Sequence, residues 1–382
     1  MVKHGGVEVR MVAPVPFFPS GSTHFGRYAA YAHIPSQEIR CRMQVTHPRY
    51  PVIPKLGMTM APWLMVASLL GHLQQIKQSG FDFDLIDAYY LYPDGVAAAA
   101  FGMLLRKPVL LTAFGSDVSL LPNFRMPRKS ILWAAKRAGQ MTAVCQALKD
   151  EVARVGVTPE HVHVIRHGVD LELFQPQPDR ASCRLRLGLT RPTIVSVGHL
   201  IERKGHDIAV RALELLPDCD LLIIGDGPEE GRLRRLVQSL RLSNRVRFVG
   251  HVSQPVLAEL LGAADVLLNC SDREGIANVL LEAMACGTPV AATPVWGSPE
   301  VITVPEAGIL LQDRTALAVA QGIAQLLERS CNRNLTRQHA EKFAWGDTAR
   351  EHIFTIRRML ASNSSQVESV PACSESAVVD SF

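Results

Sequence analysis

The chain has 382 residues, which at about 150 residues per domain predicts two or three domains and a large core. Hydrophobic residues make up 47% and charged residues 20%, which excludes wholesale disorder. The net charge of +4 is too weak to argue for nucleic acid. The charge is unevenly spread: through Asp170 there are 18 Lys and Arg against 11 Asp and Glu, and beyond it 22 against 25. The N-terminal half is therefore the basic one.

No apolar run reaches the roughly 18 residues that span a bilayer. The start, Met1–Ala13, lacks a signal-peptide pattern. Eight cysteines are scattered with no CxxC pair, which reads as reduced thiols in a cytosol and not as a disulfide framework or zinc site. His161 and His163 alternate on a strand with no third ligand at metal spacing, so no metal site is expected.

In chain order, Val7–Ala13, Leu85–Ala88, Val109–Thr112, Met141–Val144 and Val162–Ile165 read as buried strands. Helical patterns Trp63–Ser79, Val96–Arg106 and Ser130–Ala138 lie among them. Asp170–Pro192, with Pro176, Pro178 and Pro192, reads as a linker. A second series follows: strands Thr193–Val197, Leu221–Ile224, Val246–Phe248, Val266–Asn269 and Val290–Ala292, with helices His206–Leu216, Glu229–Leu240, Pro255–Ala263 and Asn278–Cys286. This alternation predicts an α/β fold of two Rossmann-like, doubly wound parallel-sheet domains facing a cleft. The expected bounds are 1–172 and 173–342, with a closing helix at 343–360 packing back on the first domain. The tail 361–382, rich in Ser and Val, is expected to be disordered.

Ligands of such sheets bind beyond the carboxyl ends of the strands. The loop and helix Ser271–Cys286 occupy that place. The N–H groups of Ile276, Ala277, Asn278 and Val279, with Gly275 before them, form an anion site at a helix N-terminus. Glu274 in the loop and Glu282 on the helix suit a ligand with hydroxyls, because a carboxylate accepts hydrogen bonds from a sugar diol strongly. In Ser196–His206, Gly198, His199, Arg203 and Lys204 follow a strand, and Arg203 and Lys204 bring positive charge where a leaving pyrophosphate needs it. Gly225 and Gly227 suggest a dinucleotide fingerprint, but Glu230 stands where its third glycine belongs and Pro228 removes a donor. A tight turn lining the cleft fits better than NAD or FAD. In the first half, His24, Asp94, Ser116 and Asp117 fall in loops at one sheet edge, though each also fits turn chemistry. The basic stretch Asn123–Arg137 carries the apolar stripe Ile131, Leu132, Trp133. It fits anionic lipid, but a helix with its stripe in the core fits it better.

Together these residues resemble the retaining family-4 glycosyltransferases of the GT-B fold, over nearly the whole chain. The match is carried by Glu274-Gly-Ile-Ala-Asn-Val-Leu-Leu-Glu282, with seven residues between the glutamates. It is carried also by Val197-Gly-His-Leu-Ile-Glu-Arg-Lys-Gly205 and by Ile165-Arg-His-Gly-Val-Asp-Leu-Glu-Leu-Phe174. The first half is similar to the teichuronic-acid and exopolysaccharide branch. The resemblance implies a hexosyltransferase that takes a UDP- or GDP-sugar, without a metal, to a glycan or lipid-linked acceptor in cell-envelope polysaccharide synthesis. The chain would be cytoplasmic, with peripheral contact at the membrane. Glu274 would meet the hexose, Glu282 the ribose, Lys204 the pyrophosphate, and His251 would lie where the base-binding backbone runs. Gly115, Ser116 and Asp117, with His24 and Asp94, would face the acceptor. Three positions depart from the family: His199 where Arg is frequent, Phe114 where His is frequent, and His167 for Asn. A GT-B sugar-nucleotide epimerase and a catalytically silent nucleotide-sugar-binding subunit are the alternatives.

Overall fold

The structure, a computed structural model, describes residues 6–18, 20, 22, 24, 31–40, 43–52, 57–329 and 331–368. Most of the glycine- and serine-rich loop around His24, and the tail beyond Glu368, lie outside the described residues.

Fifteen strands are present among the described residues. They are β1 (Met11–Val12), β2 (Val15–Pro16), β3 (Gln37–Arg40), β4 (Met43–Thr46), β5 (Arg49–Tyr50), β6 (Ile86–Tyr89), β7 (Val109–Ala113), β8 (Gln140–Ala143) and β9 (Val162–Val164). The second series is β10 (Thr193–Val197), β11 (Asp220–Ile224), β12 (Val246–Gly250), β13 (Val266–Asn269), β14 (Val290–Ala292) and β15 (Gly308–Leu310). The chain divides into two compact units. One takes the described residues of Met1–Thr112, Leu121–Met141 and Arg350–Phe382; the other takes Ala113–Leu120 and Thr142–Ala349.

In the first unit β6 and β7 pair in parallel, with Ile86 opposite Val109. Tyr50, Met65, Leu69, Ala97 and Phe101 form a core under this region. The expected strand Val7–Ala13 is reduced to β1, which joins the small separate sheet β1-β4-β3. The β3–β4 pair is antiparallel, a departure from the all-parallel expectation. Its residues are mostly polar and only Val45 is deeply buried, so no apolar period marks it.

The second unit holds a six-stranded parallel sheet of order β12-β11-β10-β13-β14-β15. Its near-continuous apolar strands are buried on both faces, as parallel sheets require. Strand order reverses between β10 and β13, and that reversal opens the crevice in which doubly wound sheets hold ligands. The stretch expected to be a plain linker contains the helix Arg180–Arg186. It starts at Asp179, whose carboxylate accepts from the Ser182 amide at 3.0 Å, a capping signal outweighed in the sequence by the surrounding prolines. The closing helix runs Trp345–Glu368, beyond the expected end at residue 360. From Asp347 onward no Pro or Gly interrupts it before Pro371.

Candidate active site

The loops after β10 and β13, on either side of the strand-order reversal, pack closely on each other. A Cβ at Gly205, where φ is +68°, would lie 2.5 Å from the Cys270 carbonyl oxygen, so only glycine fits. The Asp272 amide donates to the Arg203 carbonyl at 3.0 Å, and Arg203 Nη1 donates to the Arg273 carbonyl at 2.7 Å. Arg314 joins both loops by donating to the carbonyls of Cys270, Glu202 and Arg203.

Lys204 and Glu274 meet across this junction. Lys204 Nζ donates to Glu274 Oε1, Ser271 Oγ donates to the same oxygen at 2.9 Å, and Arg203 Nη1 lies 3.9 Å from Glu274 Oε2. The Glu274 carboxylate is 13% exposed, so its negative charge is matched by two cations and a hydroxyl instead of bulk water. Four residues on, the helix Asn278–Ala285 begins at Ala277, which offers no side-chain cap. The first amides of a helix have no partner within it, so this end presents donors and a positive dipole. Glu282 lies one turn into the helix, and burial pushes its carboxyl up to about 7.

The remaining expected donor-side residues are placed as follows. Gly198 has a φ of +149°, and Lys204 packs its stem over it, 3.4 Å from where a Cβ would sit. His199 is exposed, with Nδ1 3.6 Å from Asp226 Oδ1. Gly225 and Gly227 are required by the chain itself: a Cβ at 225 would lie 2.0 Å from the Gly198 carbonyl oxygen, and one at 227 would strike the Leu200 backbone. The two loops are tied by Gly198 N–H to Ile224 and Leu200 N–H to Asp226. His251 is exposed just beyond β12, whose Gly250 carbonyl accepts from the Gly225 amide at 2.8 Å. At Gly275 too the close neighbour is protein, since a Cβ would lie 2.3 Å from the Phe114 carbonyl oxygen. Ile276 and Ala277 are buried, Val279 is half-buried, and Asn278 is exposed.

The residues expected on the acceptor side are each placed as follows. Asp117 is fully buried, and its carboxylate accepts from the amides of Phe114 and of Gly115, the latter at 2.7 Å, which is turn chemistry. Ser116 is exposed at the start of the short helix Ser116–Ser119. Asp94 sits in the turn Leu91–Gly95, where burial raises its carboxyl above the usual range. The His24 amide donates to Ser22 Oγ at 3.4 Å. Among the described residues no group of three or more His, Cys, Asp or Glu is placed to hold a metal ion.

Sequence reasoning passed over three residues of the donor side. Ser271, three residues before Glu274, was within reach of the motif. Arg314 gave no signal, because it comes from a distant loop. His206 lies beneath the β10 loop with Nδ1 2.9 Å from Ser196 Oγ, and burial lowers its imidazole to about 4.

Two family models cover the chain almost end to end: "Glycosyltransferase Family 4" matches residues 6–173 and "Glycosyl transferases group 1" matches residues 181–343. The chain belongs to family 4 of the glycosyltransferases. It is 27% identical over 299 residues to N-acetyl-alpha-D-glucosaminyl L-malate synthase of Bacillus anthracis, covering 76% of this chain and 74% of that one. It is 28% identical over 326 residues to the teichuronic acid biosynthesis glycosyltransferase TuaC of Bacillus subtilis, covering 84% and 80%. Anabaena Alr3699/HepE, solved in complex with UDP and glucose, matches with a TM-score of 0.71 at 23% identity, covering 83% of this chain and 87% of that one. At that identity the likeness is one of fold, and the fold class is GT-B. This family-4 chain is therefore a hexosyltransferase. None of its described helices is long and apolar enough to cross a membrane.

Proposed function

We propose that the chain transfers a hexose from a UDP- or GDP-sugar, with retention at the anomeric carbon, to a glycan or lipid-linked acceptor in cell-envelope polysaccharide synthesis. One observation carries the reading: Lys204 and Ser271 converge on Glu274 immediately before the uncapped N-terminus of Asn278–Ala285. A cation, a hydroxyl acceptor and an anion site thus stand side by side, as a sugar diphosphate requires.

In this reading the donor phosphates draw Lys204 away from Glu274. Glu274 then accepts from hexose hydroxyls, and Glu282 accepts from the ribose. As the glycosidic bond breaks, charge grows on the diphosphate and is met by Lys204, Arg203 and the helix N-terminus. These fixed positive groups supply what a divalent ion supplies elsewhere, so the reaction is read as metal-independent. The departing phosphate takes the acceptor hydroxyl's proton on the face it leaves, which gives retention, while the protein holds the partners in register. The basic N-terminal half is read as the acceptor side, and the work as cytoplasmic, at the inner membrane face. The complexes of Anabaena HepE with UDP and glucose, and the TuaC relationship, support the donor class and the polysaccharide context.

The test is transfer from a panel of UDP- and GDP-sugars with anomeric configuration read by NMR. Transfer with retention supports the proposal. Hydrolysis or epimerisation without an acceptor, or product of inverted configuration, contradicts it.

A further inference from the structure

Glu300 lies outside the Lys204–Glu274 junction, yet its carboxylate accepts four hydrogen bonds. Oε1 takes the amides of Gln146 at 2.6 Å and Ala147 at 3.3 Å. Oε2 takes Nε of Arg166 at 3.1 Å and Nη2 of the same residue at 2.8 Å. The helix Gln146–Val155 starts at Cys145, which makes no side-chain cap bond. Glu300, far along the chain, supplies the acceptor that this helix start lacks.

Both ends of the Glu300–Arg166 pair run to the same donor loop. Glu300 sits on the short helix Ser298–Val301. Just before that helix, the Gly297 amide donates to the Gly275 carbonyl at 2.9 Å, and a Cβ at Gly297 would lie 2.1 Å from that oxygen. Arg166 precedes His167, whose Nδ1 lies 2.9 Å from Asn278 Oδ1. The Arg166 end is fixed in turn. Its carbonyl accepts from Thr348 Oγ1 at 2.9 Å, the Val169 amide donates to Phe343 at 2.8 Å, and a Cβ at Gly168 would lie 2.6 Å from Cα of Trp345. All of these residues belong to the second unit.

Gly275–Asn278 is thus held at one end by Gly297 and at the other by His167, and the Glu300–Arg166 pair joins the two holds. Hydrogen bonds weaken steeply with misalignment, so the register of this backbone decides how well its amides meet an anion. We infer that Glu300 is a positioning residue for the donor, fixing Gly275–Asn278 through Gly297 on one side and through Arg166 and His167 on the other. The inference rests on the donor reading proposed above. A carboxylate that served only to cap Gln146–Val155 would be felt in stability and not in donor affinity.

The test is isothermal titration of the full chain with UDP and with GDP in EDTA. The wild type binds one of them. Glu300→Gln keeps an oxygen for the two amides but turns a donor toward Arg166, and it weakens that binding about tenfold. Arg166→Gln leaves the cap whole and breaks only the link to His167, with the same result. Both variants melt within about 3 °C of the wild type. Glu300→Gln combined with His167→Ala binds no more weakly than Glu300→Gln alone, because both cut one link. Wild-type affinity in either folded variant overturns the inference, and so does a double variant whose loss is the product of the two single losses. Lys204→Ala, titrated alongside, separates the two claims. If it weakens binding and Glu300→Gln does not, the donor reading stands and this inference falls. If the wild type binds neither nucleotide, both fall.

Discussion

The ring centroids of Phe114 and His167 lie 5.3 Å apart, and His167 Nδ1 lies 2.9 Å from Oδ1 of Asn278, the first residue of the helix at the donor site. Two positions that depart from the family pattern therefore meet in space. Burial holds the His167 imidazole below its ordinary range, so it is neutral at pH 7 and its Nδ1–H donates to Asn278. His167→Ala removes that bond, which is worth about 1 kcal/mol, and raises the donor KM about fivefold. The fold and kcat change little. Steady-state kinetics at saturating acceptor measures this.

Glu274 carries the central prediction for activity. Glu274→Gln keeps the shape but discards the charge that balances Lys204. Its kcat/KM for the donor falls by about 10²-fold or more, the size typical of a lost transition-state contact. Thermal unfolding shifts far less, because the Ser271 hydroxyl still has an acceptor. Unchanged transfer would remove Glu274 from the site.

Glu282 gives a pH signature. Its carboxyl is raised to about 7 by burial, against an ordinary 4.5. The folded state therefore holds a proton that the unfolded state has released between those values. Stability is full below about pH 4.5 and is lost as pH rises through 7, by on the order of 3 kcal/mol. Glu282→Gln abolishes this dependence and is the more stable protein at pH 8. Denaturant unfolding of both proteins at pH 5 and pH 8 reads it. Ribose hydroxyls favour the ionised form, so donor binding releases a proton near pH 7.

Gly225 separates architecture from binding. Gly225→Ala sets a Cβ 2.0 Å from the Gly198 carbonyl oxygen at a φ of +131°. It destabilises the second unit by about 3 kcal/mol or more and lowers the melting temperature. A variant with wild-type stability and weaker donor binding would show that this glycine serves the ligand and not the loop.

The second unit was legible because most strands of its six-stranded sheet are short apolar runs bounded by glycine or a helix signal; β15, a three-residue edge strand, was not among those expected. Thr193–Val197 and Val266–Asn269 fall where expected to the residue. The first unit was less so. The β3–β4 pair buries chiefly Val45, which leaves no period to read. The helix Arg180–Arg186 was hidden by its flanking prolines. At the site, Glu274, Lys204 and Glu282 stood out by charge at a strand end or helix start. Arg314 did not, because its part is to bind three carbonyls brought together only by folding. Gly225, Gly227 and Gly275 were visible as glycines, but the atoms that demand them belong to other loops.

The most direct measurement is a thermal-shift series of wild type and Lys204→Ala with UDP, GDP and ADP in the presence of EDTA. The account predicts that one nucleoside diphosphate raises the wild-type melting temperature without metal, and that Lys204→Ala loses most of the rise while melting normally on its own. No shift with any of the three, or a shift that persists undiminished in Lys204→Ala, would contradict a donor diphosphate held by the Lys204–Glu274 junction.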